Sequence, residues 1–179
     1  MLRSVFASLA GVAFLAAAAS ASAQHISCAV TGAKQGAFQA DHGVGGDPKQ
    51  IPVLFVTEEI TVPFDTSSGL ATGRRTHSPL TIVKTLDRSS IDFFVAAVTN
   101  ETLRSVICTL YRERGDGAMR AYFRINLTNA NIVDYKDAGD GLSGDARGDE
   151  RERISLTYKT IELTDLDSST TALDDWAAF

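Results

Sequence analysis

Acidic side chains crowd one stretch of this sequence: Asp137, Asp140, Asp145, Asp149 and Glu150, interleaved with glycines. Several oxygens converging from one glycine-bearing loop are what a calcium ion requires. These acids lack the alternate-residue spacing of an EF-hand, and Arg147, Arg151 and Arg153 stand close enough to compensate them. The stretch reads as a solvated loop. Zinc chemistry has no better footing, because Cys28, Cys108, His25, His42 and His77 are scattered without ligand spacing. Hydrolysis needs a nucleophile, a base beside it and a third group to orient the base. No Gly-x-Ser-x-Gly elbow or histidine motif organises the serines and aspartates, and His77 before Ser78-Pro79 reads as structural. Paired carboxylates for glycoside chemistry cannot be singled out among 22 acids. No catalytic, cofactor-binding or metal-binding residue is predicted, and no cofactor.

Two short motifs have plain structural explanations. Arg114-Gly115-Asp116 spells an adhesion tripeptide, but it sits where a hairpin must turn, and Gly and Asp are turn residues. Asn100-Glu101-Thr102 and Asn126-Leu127-Thr128 match the glycosylation sequon. Asn126 falls inside a predicted strand, a poor place for an acceptor.

The elements that would position any site are mostly strands. Residues 1–23 come first and read as a secretory signal peptide: Arg3, an uncharged apolar run from Val5 to Ala19, then Ala21-Ser22-Ala23 for a cut after Ala23. That run is too short and too weakly flanked for a membrane anchor. Residues 24–179 remain as a single domain expected to be secreted or periplasmic, with no membrane insertion. The leader holds one base and no acid, so its removal takes the formal net charge from −5 to −6. That balance, without a basic cluster, argues against nucleic acid as a partner.

Period-two alternation predicts strands at His25–Thr31, within Ile51–Pro63, at Ser78–Leu86, Leu103–Tyr111, Ala118–Leu127, Ile132–Tyr135 and Arg153–Leu163. Along 118–127, Met119, Ala121, Phe123, Ile125 and Leu127 are expected inward. Loops are expected at 38–50, 65–73, 112–117 and 137–150 from their Gly and Asp content. One segment breaks the period: Ile91, Phe94, Val95 and Val98 fall at i, i+3, i+4 and i+7, a helix over 89–100. Ser89 with Asp92 resembles a capping box, and Asn100 can end the helix in the left-handed region. Phe93, Ala96 and Ala97 widen the apolar stripe beyond one core contact, as a deeply seated helix or one partly packed on a neighbouring subunit would require. Cys28 and Cys108 both lie on inward-facing positions; they can pair, or stand apart as small buried hydrophobes. The fold class is mainly β: a closed antiparallel β-barrel, two-sheet and sandwich-like, with one flanking α-helix.

The order of segments resembles a known family. The run Ser68-Gly69-Leu70-Ala71-Thr72-Gly73-Arg74-Arg75-Thr76-His77-Ser78-Pro79-Leu80, the strand Thr81 to Lys84, and Leu86-Asp87-Arg88-Ser89-Ser90 before the helix are similar to the Hcp proteins, the haemolysin-coregulated tube proteins of type VI secretion. Ala130-Asn131-Ile132-Val133-Asp134, the strand Ser155 to Ile161, and Asp174-Asp175-Trp176 continue the likeness in order. The resemblance implies a β-barrel with one flanking helix that forms hexameric rings, stacked into a tube, and the wide apolar stripe of the Ile91–Val98 helix fits an intersubunit role. The implied partners are further copies of the chain, sheath or tip proteins of the apparatus, and effector proteins in the lumen. It also implies a stacking loop, whose matching region is expected near Phe38 to Ile51. A cleavable leader departs from the family pattern. It leaves a second reading, an exported β-barrel binding module that kept the fold and lost the tube.

Overall fold

Alternating apolar residues need a sheet with one face buried, and the computed structural model, which describes residues 25–138 and 150–176, builds that sheet from antiparallel ladders. The chain order is β1 (His25–Gly32), β2 (Gly36–Ala37), β3 (Ile51–Val53), β4 (Phe55–Thr57), β5 (Ile60–Thr61), β6 (Thr76–His77), β7 (Leu80–Thr85) and α1 (Arg88–Val98). It continues with β8 (Leu103–Glu113), β9 (Met119–Ala138), β10 (Arg151–Thr157), β11 (Thr160–Asp165) and β12 (Thr170–Asp175). Hydrogen bonds join them in the order β2-β1-β8-β9-β10-β7-β4, with β3 also on β1, β11 on β9 and β12 on β11. Among the described residues, β5 and β6 pair only with each other.

This path has two ends, so the ladder is open where a closed barrel was expected. The reason lies in residues 51–57. β3 pairs with β1, β4 pairs with β7, and the partner changes at Leu54, whose N–H bonds Val83 O at 2.9 Å. Each piece is short, and Pro52 has no N–H to give, so neither makes a full rung. β9 merges two predicted strands by bending at Asn129, which takes φ 50°, a left-handed conformation that asparagine tolerates. Its first half pairs with β8 and β11 and its second with β10. The expected strand 153–163 divides at Tyr158-Lys159 into β10 and β11, and β12 was not foreseen. Met119, expected inward, is exposed at the first position of β9, beside the 114–118 turn that joins it to β8.

The core gathers Val30, Ile51, Leu80, Ile82, Leu103, Val106, Leu127, Ile154, Leu156 and Ile161. Cys28 and Cys108 face each other in the β1–β8 register and are joined by a disulfide.

The helix N-cap lies two residues earlier than expected. Asp87 is the N-cap: its Oδ1 accepts from Ser89 N at 2.9 Å, and Ser90 Oγ accepts from Asp87 N at 3.0 Å. Asp92 is not part of this box; its Oδ2 accepts from Gln39 N at 3.2 Å. At the other end Asn100 takes φ 50°, Glu101 N bonds Ala96 O at 2.9 Å and Asn100 N bonds Ala97 O at 3.3 Å, a Schellman closure.

Candidate assembly surfaces

The helix shows the sheet one face and solvent another. Ser89, Ser90, Phe93 and Ala96 are buried, with Phe93 edge-on to Phe38 at 5.2 Å. Serine and alanine let the helix sit close to the sheet around Phe93, and Ile91, Phe94 and Val98 are turned away. Ile91, Phe94 and Val98 are 66 %, 50 % and 64 % exposed at i, i+3 and i+7. Phe94 leans on Tyr135 of β9 at 6.0 Å, and Val133 on the same strand is exposed too. A shallow cleft of ≈ 370 Å³ lies beside this row, lined by Leu86, Ile91, Phe94 and Tyr135 together with Asp87, Ser90 and Asp137. Grouped apolar residues of this kind mark an interaction surface.

A second surface is a hairpin arm over residues 58–77. It carries β5 and β6 and a bridge between Phe64 and Ala71, and among the described residues it has no pairing to the main sheet. Ile60, Val62, Phe64 and Leu70 are exposed along it. Its tip is ordered by Asp65, whose Oδ1 accepts from Ser67 N and Ser68 N, both at 2.8 Å, and from Ser67 Oγ at 2.6 Å and Ser68 Oγ at 3.1 Å. Those donors, the Ser67 hydroxyl foremost, hold the carboxyl at a pKa of about 2. The expected stacking region, 38–51, is anchored at its ends, while Asp41, His42 and residues 45–49 between them are exposed. Phe38, Ala40 and Ile51 are buried, and the backbone there is tied down by Ala40 N to Pro48 O and Val44 N to Gln50 O.

The base of the arm is latched to the C-terminal hairpin. Buried His77 places Nδ1 3.0 Å from Tyr158 Oη and Nε2 2.9 Å from Asp174 Oδ2, and its ring stacks on Trp176 at 5.3 Å. Arg75 bonds both oxygens of the same carboxylate. The Arg75 guanidinium, with His77 helping, lowers the Asp174 pKa against the opposing effect of burial. Burial, with the carboxylates of Glu58 and Asp174, pushes the Tyr158 phenol up to about 12.

A second polar cluster lies inside the domain. Lys84 Nζ reaches Glu152 Oε1 at 2.7 Å, Asp87 Oδ1 at 2.8 Å and Ser90 Oγ at 3.2 Å. Tyr135 Oη donates to Glu152 Oε2 at 2.7 Å. Lys84 and Glu152 are fully buried. The cluster ties β7, β9, β10 and the helix start together. Sequence reasoning missed it, although the parity of Leu80-Ile82-Lys84 and of Glu152-Ile154-Leu156 points both charges inward.

The other candidates find structural uses. Asp116 Oδ1 accepts from Ala118 N at 3.0 Å, and Arg112 and Arg114 both bond Asp167, so the Arg-Gly-Asp tripeptide is spent on its turn. Of the acidic loop, Asp140, Asp145 and Asp149 lie outside the described residues, as does the leader. Among the described residues no helix is long and apolar enough to cross a membrane.

The segments that carried the family resemblance thus converge in two clusters: Arg75, His77, Tyr158, Asp174 and Trp176 in one, Lys84, Asp87 and Ser90 in the other. Comparison with known proteins agrees. The family described as "Type VI secretion system effector, Hcp" matches residues 30–164. The chain belongs to the Hcp family. The "Major exported protein" of Pseudomonas aeruginosa is 33 % identical over 158 residues, covering 82 % of this chain and 92 % of that one. A crystal structure of an Hcp protein superposes with TM-score 0.79 at 22 % identity, covering 88 % of this chain and 100 % of the other. The secreted protein Hcp3 from Pseudomonas aeruginosa gives 0.71 at 28 % identity, with 87 % and 100 % covered. As an Hcp chain, this protein is a ring and tube subunit of type VI secretion, and the two surfaces above offer such a subunit grouped apolar area, while Leu54, Phe55, Met119 and Leu173 are exposed elsewhere.

Proposed function

We propose that this Hcp chain forms a hexameric ring through the outer face of α1 and stacks ring on ring through the 58–77 arm. The observation that carries the reading is the exposed row Ile91, Phe94 and Val98 on a helix whose other face is fully packed. A ring of this kind uses a heterologous contact that closes on itself, so one apolar stripe per subunit is enough. Because β3 and β4 follow one another, the chain spans the gap between β1 and β7, and we read this seam as completing the barrel. The arm supplies a stacking element, which weakens the alternative of a module that lost its tube. Sheath, tip and effector proteins are its further partners in this reading, and no catalytic step, cofactor or metal is assigned to it. The mature chain starts at Gln24 after export.

The test is native mass spectrometry with electron microscopy of the mature chain. Hexamers, and stacked rings at high concentration, are expected. A strictly monomeric protein at high concentration overturns the proposal, and hexamers that never stack return the non-tube alternative.

A further inference from the structure

Both cysteines of the chain lie opposite each other in the β1–β8 ladder, and both are 1 % exposed. We propose that Cys28 and Cys108 are an oxidative-folding site: a disulfide-bearing thiol oxidoreductase outside the cytoplasm installs the bond while the chain is still unfolded. This rests on the export reading above.

Three observations carry it. The bond joins residues 80 apart, so the arm, β7 and the helix all lie within the loop that it closes. The sulfurs are sealed in the core, so an oxidant as large as a protein reaches them only before β1 and β8 pair, and a reductant is excluded once they have. Reduced thiols are the rule in the cytoplasm and disulfides outside it, and residues 1–23 have the pattern that sends a chain there.

Export from the N-terminus delivers Cys28 well before Cys108. The Cys28 thiolate attacks the oxidant's disulfide, forms a mixed disulfide and releases one oxidant thiol. Before β8 pairs with β1, the Cys108 thiolate attacks the Cys28 sulfur and expels the second oxidant thiol. Two electrons and two hydrogens pass to the oxidant, and one disulfide replaces another.

The experiment expresses the full precursor, and the same chain lacking residues 2–23, in a bacterium with an intact oxidative envelope. Both are acid-quenched, denatured and alkylated, then weighed. The precursor is expected to yield a chain starting at Gln24 that takes no label before reduction, and the leaderless chain to take label at both cysteines. A processed chain with free thiols, or a leaderless chain already oxidised in the cytoplasm, overturns the inference. The precursor with Cys108→Ser is expected to accumulate a mixed disulfide through Cys28, a readout that needs no folded product; absence of that adduct also overturns it. An oxidised chain starting at Gln24 that stays monomeric supports this inference while refuting the ring.

Discussion

Asp174 Oδ2 lies 2.9 Å from His77 Nε2, so the last strand of the sheet holds the base of the projecting arm. Replacing Asp174 by Ala leaves the buried His77 ring without that partner, which costs about 1–3 kcal/mol. Expected outcomes are a lower unfolding midpoint and faster proteolysis confined to the 58–77 arm. Because the folded Asp174 pKa is lowered from 3.8, its contribution is complete above that value and is lost as pH falls through the lower folded one. Proteolysis of the arm followed through that acid range in wild type and variant should converge once the carboxylate is protonated.

The tip of the arm offers a cleaner titration. Asp65 accepts four hydrogen bonds from Ser67 and Ser68 and titrates at about 2. Its lowered pKa means that the tip is held above 3.8 and released as pH falls through about 2. Amide exchange at Ser67 and Ser68 should rise on that acid step. Asp65→Ala should show the fast exchange at neutral pH with no change in global stability, since the residue is exposed.

Lys84 and Glu152 should behave in the opposite way, as a core pair. Removing one partner strands the other charge in the interior, which costs about 3–5 kcal/mol, whereas replacing both with apolar residues of similar volume is close to neutral. Denaturant unfolding of Lys84→Met, Glu152→Leu and the double variant should therefore give two severe losses and one mild one. Equal, additive losses would show that the pair is not coupled.

These residues also mark where the sequence stops being readable. Alternation located the long strands because one face must be apolar, and Ile91 to Val98 announced the helix by its period. The period could not choose which face goes inward, because this helix is apolar on both sides; small Ser89, Ser90 and Ala96 won the close contact and turned Ile91 and Val98 out. Extended character in 51–63 was legible, but not that β3 and β4 take different partners or that the chain then leaves the sheet, since pairing is a long-range choice. Asp174, which meets His77, and Glu152, which meets Lys84, lie 97 and 68 positions away, a distance no local pattern spans.

The helix face is the decisive site for assembly. Ile91, Phe94 and Val98 have little to lose within their own subunit, because at half to two-thirds exposure they bury little area there. Changing Ile91 or Val98 to Asp therefore should move the monomer's stability by no more than about 0.5 kcal/mol, the usual range for surface substitutions. In a ring the same change places an unpaired carboxylate in an apolar contact, which is expensive to desolvate. The expected result is a folded monomer by light scattering with an unchanged unfolding midpoint. Phe94→Ala should weaken the ring less, since it removes apolar area without adding charge. If Ile91→Asp and Val98→Asp still assemble as wild type does, the ring contact lies on another face and the assignment to α1 fails.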